Sequence, residues 1–354
     1  MSARGFGFGA AAGGPALWSW GRNNNGQLGL GNLTNYSSPK QVGTLTDWSD
    51  VAGGSTSSAT LKTDGTLWNS GNIPPAISSF AQVGVVTTWS KLSQRRTLRL
   101  AIQTNGTLWA WGANSYGELG LGNLTSYSSP KQVGALTTWS TVSSGFYFSL
   151  AIKTNGTLWA WGRNTEGQLG LGNLTNYSSP VQVGALTNWS KIAGSYKFAV
   201  AVKTDGTLWS WGQGSRGELG LGNLTSYSSP KQVGALTGWS TLTSGSYFSL
   251  AIKTNGTLWS WGYGTDGRLG QGNITSYSSP KQIGALTTWA TTGSAGKSGA
   301  AISTNGSLWM WGRNNFGQLG LGNLTDYSSP KQVGALTTWT KVGMGYNFTL
   351  AIKT

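Results

Sequence analysis

The sequence has no cysteine and no histidine among its 354 residues. The absence of cysteine excludes disulfides and thiolate metal sites, and the absence of both residues leaves the usual serine and cysteine nucleophiles without a base. Acidic residues are scarce, with only 9 Asp and Glu against 24 Lys and Arg. No apolar run reaches the length of about 20 residues that a membrane-spanning helix needs, so we expect no membrane insertion. We therefore expect a protein that is not an enzyme and that holds no cofactor or metal.

The sequence is rich instead in a repeated unit that carries a Leu-Trp pair. The pairs begin at Leu17, Leu67, Leu108, Leu158, Leu208, Leu258 and Leu308. They lie 50 residues apart, except for one step of 41 residues that leaves the second unit short. A period in this range is typical of a solenoid, a propeller or an array.

One complete copy of the unit, residues 139–186, predicts four strands. Asn155-Gly156 favours a tight hairpin turn of type I′, in which both residues take positive φ angles. The strand after this turn alternates large and small residues, as expected for burial mainly on one face. The predicted strands are 139–142, 149–154, 158–162 and 180–183. Each unit is therefore expected to form a four-stranded antiparallel sheet.

A single sheet of this kind cannot bury both of its faces, so the units must stack. Radial stacking of four-stranded blades gives a β-propeller. The repeat begins in the middle of a unit at Leu17 and stops two strands into another at Thr354. We therefore predict an all-β fold with one seven-bladed propeller domain over residues 17–354, closed by N- and C-terminal strands that share one blade.

Residues 1–16 match no part of the repeat. They are rich in Gly and Ala, which favours a flexible arm. The alternative is an assembly arm that orders on a neighbouring subunit through Arg4, Phe6 and Phe8. The segment also lacks the apolar core of a secretory signal. We therefore expect synthesis in the cytoplasm, followed by a virion or extracellular location after assembly.

A Gly-rich loop follows the third strand of most units, and in one copy it reads WGRNTEGQLGLGN over residues 161–173. Together with the hairpin before it, this pattern resembles the repeat of the regulator of chromosome condensation family over residues 17–354. The resemblance implies a seven-bladed propeller closed by both termini. Family members include a nucleotide exchange factor for a small GTPase, scaffolds and binding modules. Phe148, Phe248 and Phe348 stand where the family usually has histidine, and the motif residues common to all blades do not identify the activity.

Positions that differ between the copies are, on this interpretation, free to serve a partner. The strongest variation lies at the turn between the first two strands, and these turns are expected to surround one mouth of the central channel. Aromatic and basic side chains on a rigid scaffold are typical of binding surfaces. The alternative is neutral drift, with aromatics that pack between blades. The predicted contact residues at these turns are Arg95, Arg96, Phe146, Tyr147, Tyr196, Lys197, Tyr247, Lys297 and Tyr346.

Basic residues also form other patterns. Arg95, Arg96 and Arg99 lie in strands that we assign to the shortened second unit, where they either pair with carboxylates or phosphates of a partner or remain solvated. Lysines recur at two positions of the repeat, after the proline of the outer strand and before the Asn-Gly turn. Such rings suggest anion binding, but lysine on an edge strand also prevents aggregation between sheets. We prefer the second interpretation, because an even spread makes a belt and not a groove.

These features favour a non-catalytic, rigid interaction or structural module. The leading hypothesis is a bacteriophage virion component, such as a decoration, fibre or adhesion protein. The alternatives are a carbohydrate-binding propeller and an intracellular regulator that binds a small GTPase or nucleic acid. The expected partner is a protein in a larger assembly such as a viral particle, with a glycan as an alternative. Nucleic acid is less favoured, although the net charge of +15 leaves it open.

Overall fold

The computed structural model describes residues 14–72 and 76–354 of the chain. Seven four-stranded antiparallel sheets form a ring, which confirms the predicted all-β propeller. Blades are numbered here in the order of their Leu-Trp pairs. Among the described residues, no helix is long and apolar enough to cross a membrane.

The strands follow one another as the repeat requires. The first strands of the described residues are β1 (Ala16–Gly21) and β2 (Tyr36–Gln41). Blade 2 contains β3 (Trp48–Gly53), β4 (Ser57–Lys62), β5 (Leu67–Gly71) and β6 (Ile77–Gln82). Blade 3 contains β7 (Trp89–Arg95), β8 (Leu98–Gln103), β9 (Leu108–Gly112) and β10 (Tyr127–Gln132). Blade 4 contains β11 (Trp139–Ser144), β12 (Phe148–Lys153), β13 (Leu158–Gly162) and β14 (Tyr177–Gln182).

The second half of the ring repeats this order. Blade 5 contains β15 (Trp189–Gly194), β16 (Phe198–Lys203), β17 (Leu208–Gly212) and β18 (Tyr227–Gln232). Blade 6 contains β19 (Trp239–Ser244), β20 (Phe248–Lys253), β21 (Leu258–Gly262) and β22 (Tyr277–Gln282), with a 3-10 turn at Thr265–Gly267. Blade 7 contains β23 (Trp289–Ala295), β24 (Ser298–Ser303), β25 (Leu308–Gly312) and β26 (Tyr327–Gln332). The last strands are β27 (Trp339–Met344) and β28 (Phe348–Lys353).

The two ends of the chain close the ring in blade 1. Its strand order is β2-β1-β28-β27, and Leu17 of β1 pairs with Ile352 of β28. The predicted closure is therefore confirmed. Arg4, Phe6 and Phe8 lie outside the described residues, and β1 already begins at Ala16.

The first strand of each blade lies nearest the axis, because the first strands of adjacent blades contact one another around the whole ring. Because neighbouring strands of a blade are antiparallel, the turns between first and second strands, such as 145–147, lie on the same face as the Gly-rich loops between third and fourth strands, such as 163–176. We call this surface the loop face. The Asn-Gly hairpins lie on the opposite face.

The Gly-rich loop holds adjacent blades together. Trp161 of blade 4 is fully buried, and its indole Nε1 donates to the carbonyl oxygen of Glu118 in the loop of blade 3 at 2.9 Å. Gly120 of that loop has a φ of 74°, and a Cβ there would lie 2.7 Å from the indole nitrogen. Only glycine allows this approach. The same hydrogen bond is made by Trp20, Trp211, Trp261 and Trp311.

The prediction of type I′ hairpin turns is wrong. Among the described residues, the only non-glycine residues with positive φ are Arg96 and Asp266, so Asn155 does not take that conformation. Its side-chain oxygen instead accepts hydrogen bonds from the backbone N–H and the hydroxyl of Thr157, at 3.2 and 2.8 Å. Gly156 takes the positive φ, 76°, and donates to the carbonyl of Lys153. Asparagine serves here as a local acceptor.

The assignment of the arginine strands to the shortened unit is also wrong. The strand that carries Arg99 pairs with β9, where Arg99 lies opposite Trp111. These residues therefore belong to blade 3. Blade 2 is the unit whose sequence lacks the Gly-rich loop, so the loop that would cover Trp111 is missing.

Candidate functional site

The first-to-second-strand turns converge around the axis on the loop face. They enclose a small cavity of about 20 Å³, lined by residues that include Arg95, Phe146, Ser246 and Tyr346 from four different blades. The structure therefore brings the predicted turn residues to one mouth of the channel. Their side chains are half-buried, except that Tyr346 is 40% exposed.

Arg95 fills the axis at this mouth. The equivalent residues of the other six blades are all small, and they are Gly54, Gly145, Ser195, Gly245, Ala295 and Gly345. The Arg95 guanidinium reaches across the ring and donates from Nη1 to the carbonyl oxygens of Ser244, at 2.9 Å, and Gly194, at 3.3 Å. Burial lowers the pKa of Arg95 to about 10, so the side chain remains charged at neutral pH. Arg95 is thus a plug that joins blades 3, 5 and 6.

Arg99 is buried between blades 2 and 3, with 4% of its surface exposed. Its Nη2 donates to the Ser57 hydroxyl at 2.8 Å and its Nη1 to the Thr97 carbonyl at 3.3 Å. Burial lowers the pKa of Arg99 to about 10. At the same position of blade 4, the Ser149 hydroxyl donates to the preceding Gly-rich loop at the Glu118 carbonyl. Because blade 2 has no such loop, Arg99 occupies the space with a long side chain and is not accessible to a partner.

Arg96 is the member of the arginine cluster that remains at the surface. Its guanidinium lies 4.6 Å from the ring centroid of Tyr147 and 5.1 Å from that of Phe146. Phe146 contacts Tyr196 at 4.4 Å between centroids, and Tyr196 contacts Tyr247 at 5.3 Å. The result is a continuous aromatic arc over blades 3 to 6, with geometry that favours aromatic and cation–π attraction.

The Gly-rich loops contribute further residues that the sequence analysis missed. At the interface of blades 3 and 4, Tyr116 of one loop contacts Tyr147 at 5.0 Å between centroids. The guanidinium of Arg163, from the next loop, lies 5.2 Å from Tyr116 and 5.8 Å from Tyr147. Two loop residues and one turn residue thus form a triad across the interface.

Equivalent positions use different chemistry at other interfaces, as a second triad between blades 5 and 6 and as residue pairs elsewhere. Between blades 4 and 5, Lys197 pairs with Glu166 at 2.9 Å. Between blades 5 and 6, the Arg216 guanidinium lies 4.0 Å from Tyr247 and 4.8 Å from Tyr263. The remaining contacts join Lys297 to Asp266 at 3.4 Å and Arg22 to the Phe316 ring at 5.2 Å.

These triads change how sequence variation in the blades is interpreted. The variable loop residue of one blade and the variable turn residue of the next are 31 residues apart, as Glu166 and Lys197 are. Their chemistry is complementary in four interfaces. Variation is therefore not free, because it is matched across the interface before any partner binds. A search for complementary pairs at this spacing could have found the loop residues in the sequence.

The lysine rings have a structural role in the described chain. Lys153 places its ammonium 3.6 Å from the ring centroid of Trp159 and 5.0 Å from that of Trp139. Burial lowers the pKa of this lysine. The outer lysines lie over tyrosines, as Lys131 does at 5.4 Å from Tyr127. The half-buried tryptophan at this position is covered by lysine in five blades. In blades 3 and 7, Gln103 and Ser303 replace the lysine, and Trp109 and Trp309 are half-buried without one.

Glu218 is a fully buried carboxylic acid beneath the blade 5 loop. It accepts the backbone N–H of Arg216 at 2.6 Å, and its second oxygen has no partner among the described residues. Burial raises the pKa of Glu218. Because the folded state then binds the proton more tightly, stability is lost as the pH rises through the folded-state pKa. Gln27, Gln168 and Gln318 take this position in other blades.

We therefore expect Glu218→Gln to raise the melting temperature at neutral pH, with a gain of about 1 kcal/mol or less in the free energy of unfolding. The gain should vanish at about pH 3.5, below the ordinary glutamate pKa, because the acid is then neutral in both states. Gln168→Glu, the matched reverse change, should lower the melting temperature at neutral pH only. Thermal melts at both pH values test this, and a gain that is independent of pH would contradict it.

Within the described residues, no group of three or more His, Cys, Asp or Glu could hold a metal ion. The contacts described above make the site a surface of aromatic rings and cations. Two half-buried carboxylates beside the turns, Glu166 and Asp266, are both paired with lysine.

A sequence profile described as "Regulator of chromosome condensation (RCC1) repeat" matches more than half of the chain. The matches cover residues 16–61, 105–152, 155–202, 205–252, 255–301 and 305–352. A second profile with the same description matches residues 139–168, 189–218 and 239–268. No curated protein sequence matches the chain.

Solved structures share the fold over the whole ring. Human WBSCR16 has a TM-score of 0.86 at 20% identity, with 96% of this chain and 99% of that chain covered. Yeast RCC1 (Prp20), bound by Kap60, has a TM-score of 0.85 at 18% identity, with 97% and 90% covered. Prp20p from Saccharomyces cerevisiae, described with its binding to Gsp1p and histones, has a TM-score of 0.83 at 20% identity, with 97% and 92% covered.

The prediction of a virion or extracellular location is wrong. It is overturned by the similarity of the whole ring to Prp20, because the partners described for that protein, Kap60, Gsp1p and histones, are partners inside a cell. A bacteriophage virion role, a viral particle and a glycan partner find no support in these similarities. The partners named for the similar structures are proteins.

Proposed function

This chain belongs to the regulator of chromosome condensation repeat family, and we propose that it is a non-catalytic binding platform that regulates a protein partner docked on the loop face. The observation that carries the proposal is the composition of that face. It concentrates arginine and tyrosine, which are enriched where binding energy is highest in protein interfaces.

The proposed contact surface follows the turns and adjoining loops. It excludes Arg95 and Arg99, since the first bonds across the axis and the second is buried. From the turns it keeps Arg96, Phe146, Tyr147, Tyr196, Lys197, Tyr247, Lys297 and Tyr346. From the Gly-rich loops it adds Tyr116, Arg163, Arg216, Tyr263 and Phe316.

The rigidity of this surface supports the proposal. The aromatic side chains are held in place by one another and by the triads, so little side-chain entropy would be lost on binding. A surface with discrete anchors suits a protein partner. A small GTPase is one class of protein that could be this partner. We keep the proposed division into an N-terminal arm and one propeller domain, with the boundary moved to before Ala16, because Ala16 pairs with Lys353.

Photo-cross-linking tests the proposal. A photoreactive residue replaces Tyr346 on the loop face or, as the matched control, Gln132 on the outer strand, which is also exposed. In extract of the source cells, we expect a defined partner to be captured from position 346. Capture from position 132 alone would overturn the proposed face. If a GTPase is captured, nucleotide release from it in the presence of this chain is the next measurement.

A further inference from the structure

We propose that the loop face recognises an acidic protein segment, whose carboxylates bind the arginines stacked on its tyrosines. The proposal rests on the proposed function and names the partner's chemistry. The key residues are Arg96, Arg163 and Arg216, which lie on adjoining parts of the aromatic arc. All three are half-buried.

These three arginines are held by aromatic faces and not by carboxylates. Within the described residues, none of them forms a salt bridge. The guanidinium of Arg216 lies between two tyrosines, at 4.0 and 4.8 Å from their centroids, and Arg163 uses one N–H on the Thr165 hydroxyl at 3.0 Å. Stacking fixes the plane of a guanidinium and leaves its N–H edge for an acceptor.

The carboxylates that contact the turn residues of this face are already neutralised. Glu166 pairs with Lys197 at 2.9 Å, and Asp266 pairs with Lys297 at 3.4 Å and with the buried Arg268. On the aromatic arc of blades 3 to 6, the uncompensated charge therefore lies on the stacked arginines. A partner segment that supplies carboxylates complements this charge.

The arrangement suits an extended segment with spaced acids. Arg96 and Arg163 both contact the ring of Tyr147, so two guanidinium groups lie beside one side chain. Carboxylates two residues apart in an extended chain are about 7 Å apart, because each residue rises about 3.3 Å. We expect acids at this spacing to bind both arginines at once. Half-burial of the arginines strengthens each charge-assisted hydrogen bond.

Nucleic acid fits this face less well. Single-stranded chains need open aromatic faces on which bases stack. Here the rings of Tyr116, Tyr147, Tyr247 and Tyr263 are covered by arginine. Glu166 and Asp266 also interrupt the path that a phosphate backbone would follow.

The test measures binding of a fluorescent hexaglutamate peptide to the full purified chain, with hexaglutamine and a twelve-nucleotide thymidine oligomer as comparison probes. We expect Arg96→Gln/Arg163→Gln to weaken hexaglutamate binding at least about tenfold. Arg96→Lys/Arg163→Lys, which keeps the charge but loses the paired N–H edge, should weaken it about threefold to fivefold. Lys131→Ala/Lys231→Ala, which removes two exposed charges elsewhere, should leave it unchanged. Thermal melts confirm that each variant folds.

Two results would overturn the inference. One is equal weakening by the outer-lysine variant, which would mean attraction by net charge alone. The other is tighter binding of the thymidine oligomer with the same dependence on both arginines, which would make the face a nucleic-acid site. If hexaglutamate does not bind but position 346 still cross-links a protein, the acidic-segment inference fails and the proposed function stands.

Discussion

Replacing Arg99 with alanine is expected to lower the free energy of unfolding by about 3–4 kcal/mol, because a cavity opens and a hydrogen bond is lost. The cavity lies where blade 2 lacks its Gly-rich loop, beside Trp111. The Ser57 hydroxyl also loses the Arg99 donor. Adjacent blades hold each other through this interface, so the loss should weaken the whole ring.

Arg99→Met provides the matched control. Methionine fills similar volume and removes the cost of burying a charge without a carboxylate partner, so we expect a loss of about 1 kcal/mol or less. Urea unfolding followed by tryptophan fluorescence measures both variants. A methionine variant as unstable as the alanine variant would show that the charge matters and not the filled space. An alanine variant as stable as the wild type would refute the filling role altogether.

Arg95→Gly is expected to lower the free energy of unfolding by about 2–3 kcal/mol, through loss of charge-assisted hydrogen bonds to two carbonyls. Glycine suits the backbone, because four other blades have it at this position. The cost therefore reports the loss of the bonds to Ser244 and Gly194, which join three blades across the axis. The mouth of the channel should also open to solvent.

The neighbouring residue gives the control for this prediction. Arg96 has a φ of 53°, which glycine adopts without strain, so Arg96→Gly should be neutral or slightly stabilising. Thermal melting compares the two variants. Hydrogen exchange at the turns of blades 5 and 6 reports the opening of the mouth. An Arg95→Gly variant with the melting temperature and exchange of Arg96→Gly would refute the plug.

Most of the fold could be predicted from the sequence, because the unit that forms a blade occurs seven times. The position of the Leu-Trp pairs, together with the break at Leu17 and Thr354, is enough to predict both blade number and ring closure. The hairpin turn was mispredicted for a local reason. The Asn-Gly pair fits two turn geometries. The hydroxyl of Thr157, which the type I′ prediction did not consider, donates to the Asn155 side chain and selects the geometry in which asparagine is an acceptor.

The site was only partly predictable. The turns could be placed around one mouth, because every blade has the same strand order. The roles of Arg95 and Arg99 could not be predicted from the arginine side chains alone. Arg95 fills space that the small residues of the other blades leave at the axis, and Arg99 fills the space of the Gly-rich loop that blade 2 lacks. The loop residues, such as Arg163, become visible only when each blade is compared with the next.

The expectation of a virion role arose from features that carry no partner information. It rested on residues 1–16, which match no part of the repeat. The stacked arginines Arg96, Arg163 and Arg216, in contrast, present donors in fixed positions. The geometry of these donors indicates which chemical groups a partner must supply, whereas the composition of the repeat does not.

The central claim is that the loop face, and not the lysine-bearing outer edge, binds the partner. The most direct measurement is the yield of partner cross-linked from position 346 relative to the yield from position 132, at equal protein concentration. Both positions are exposed, so accessibility does not bias the comparison. The account predicts that the yield from position 346 is higher by about tenfold or more, as expected for a residue inside an interface. Equal yields, or a higher yield from position 132, would contradict it.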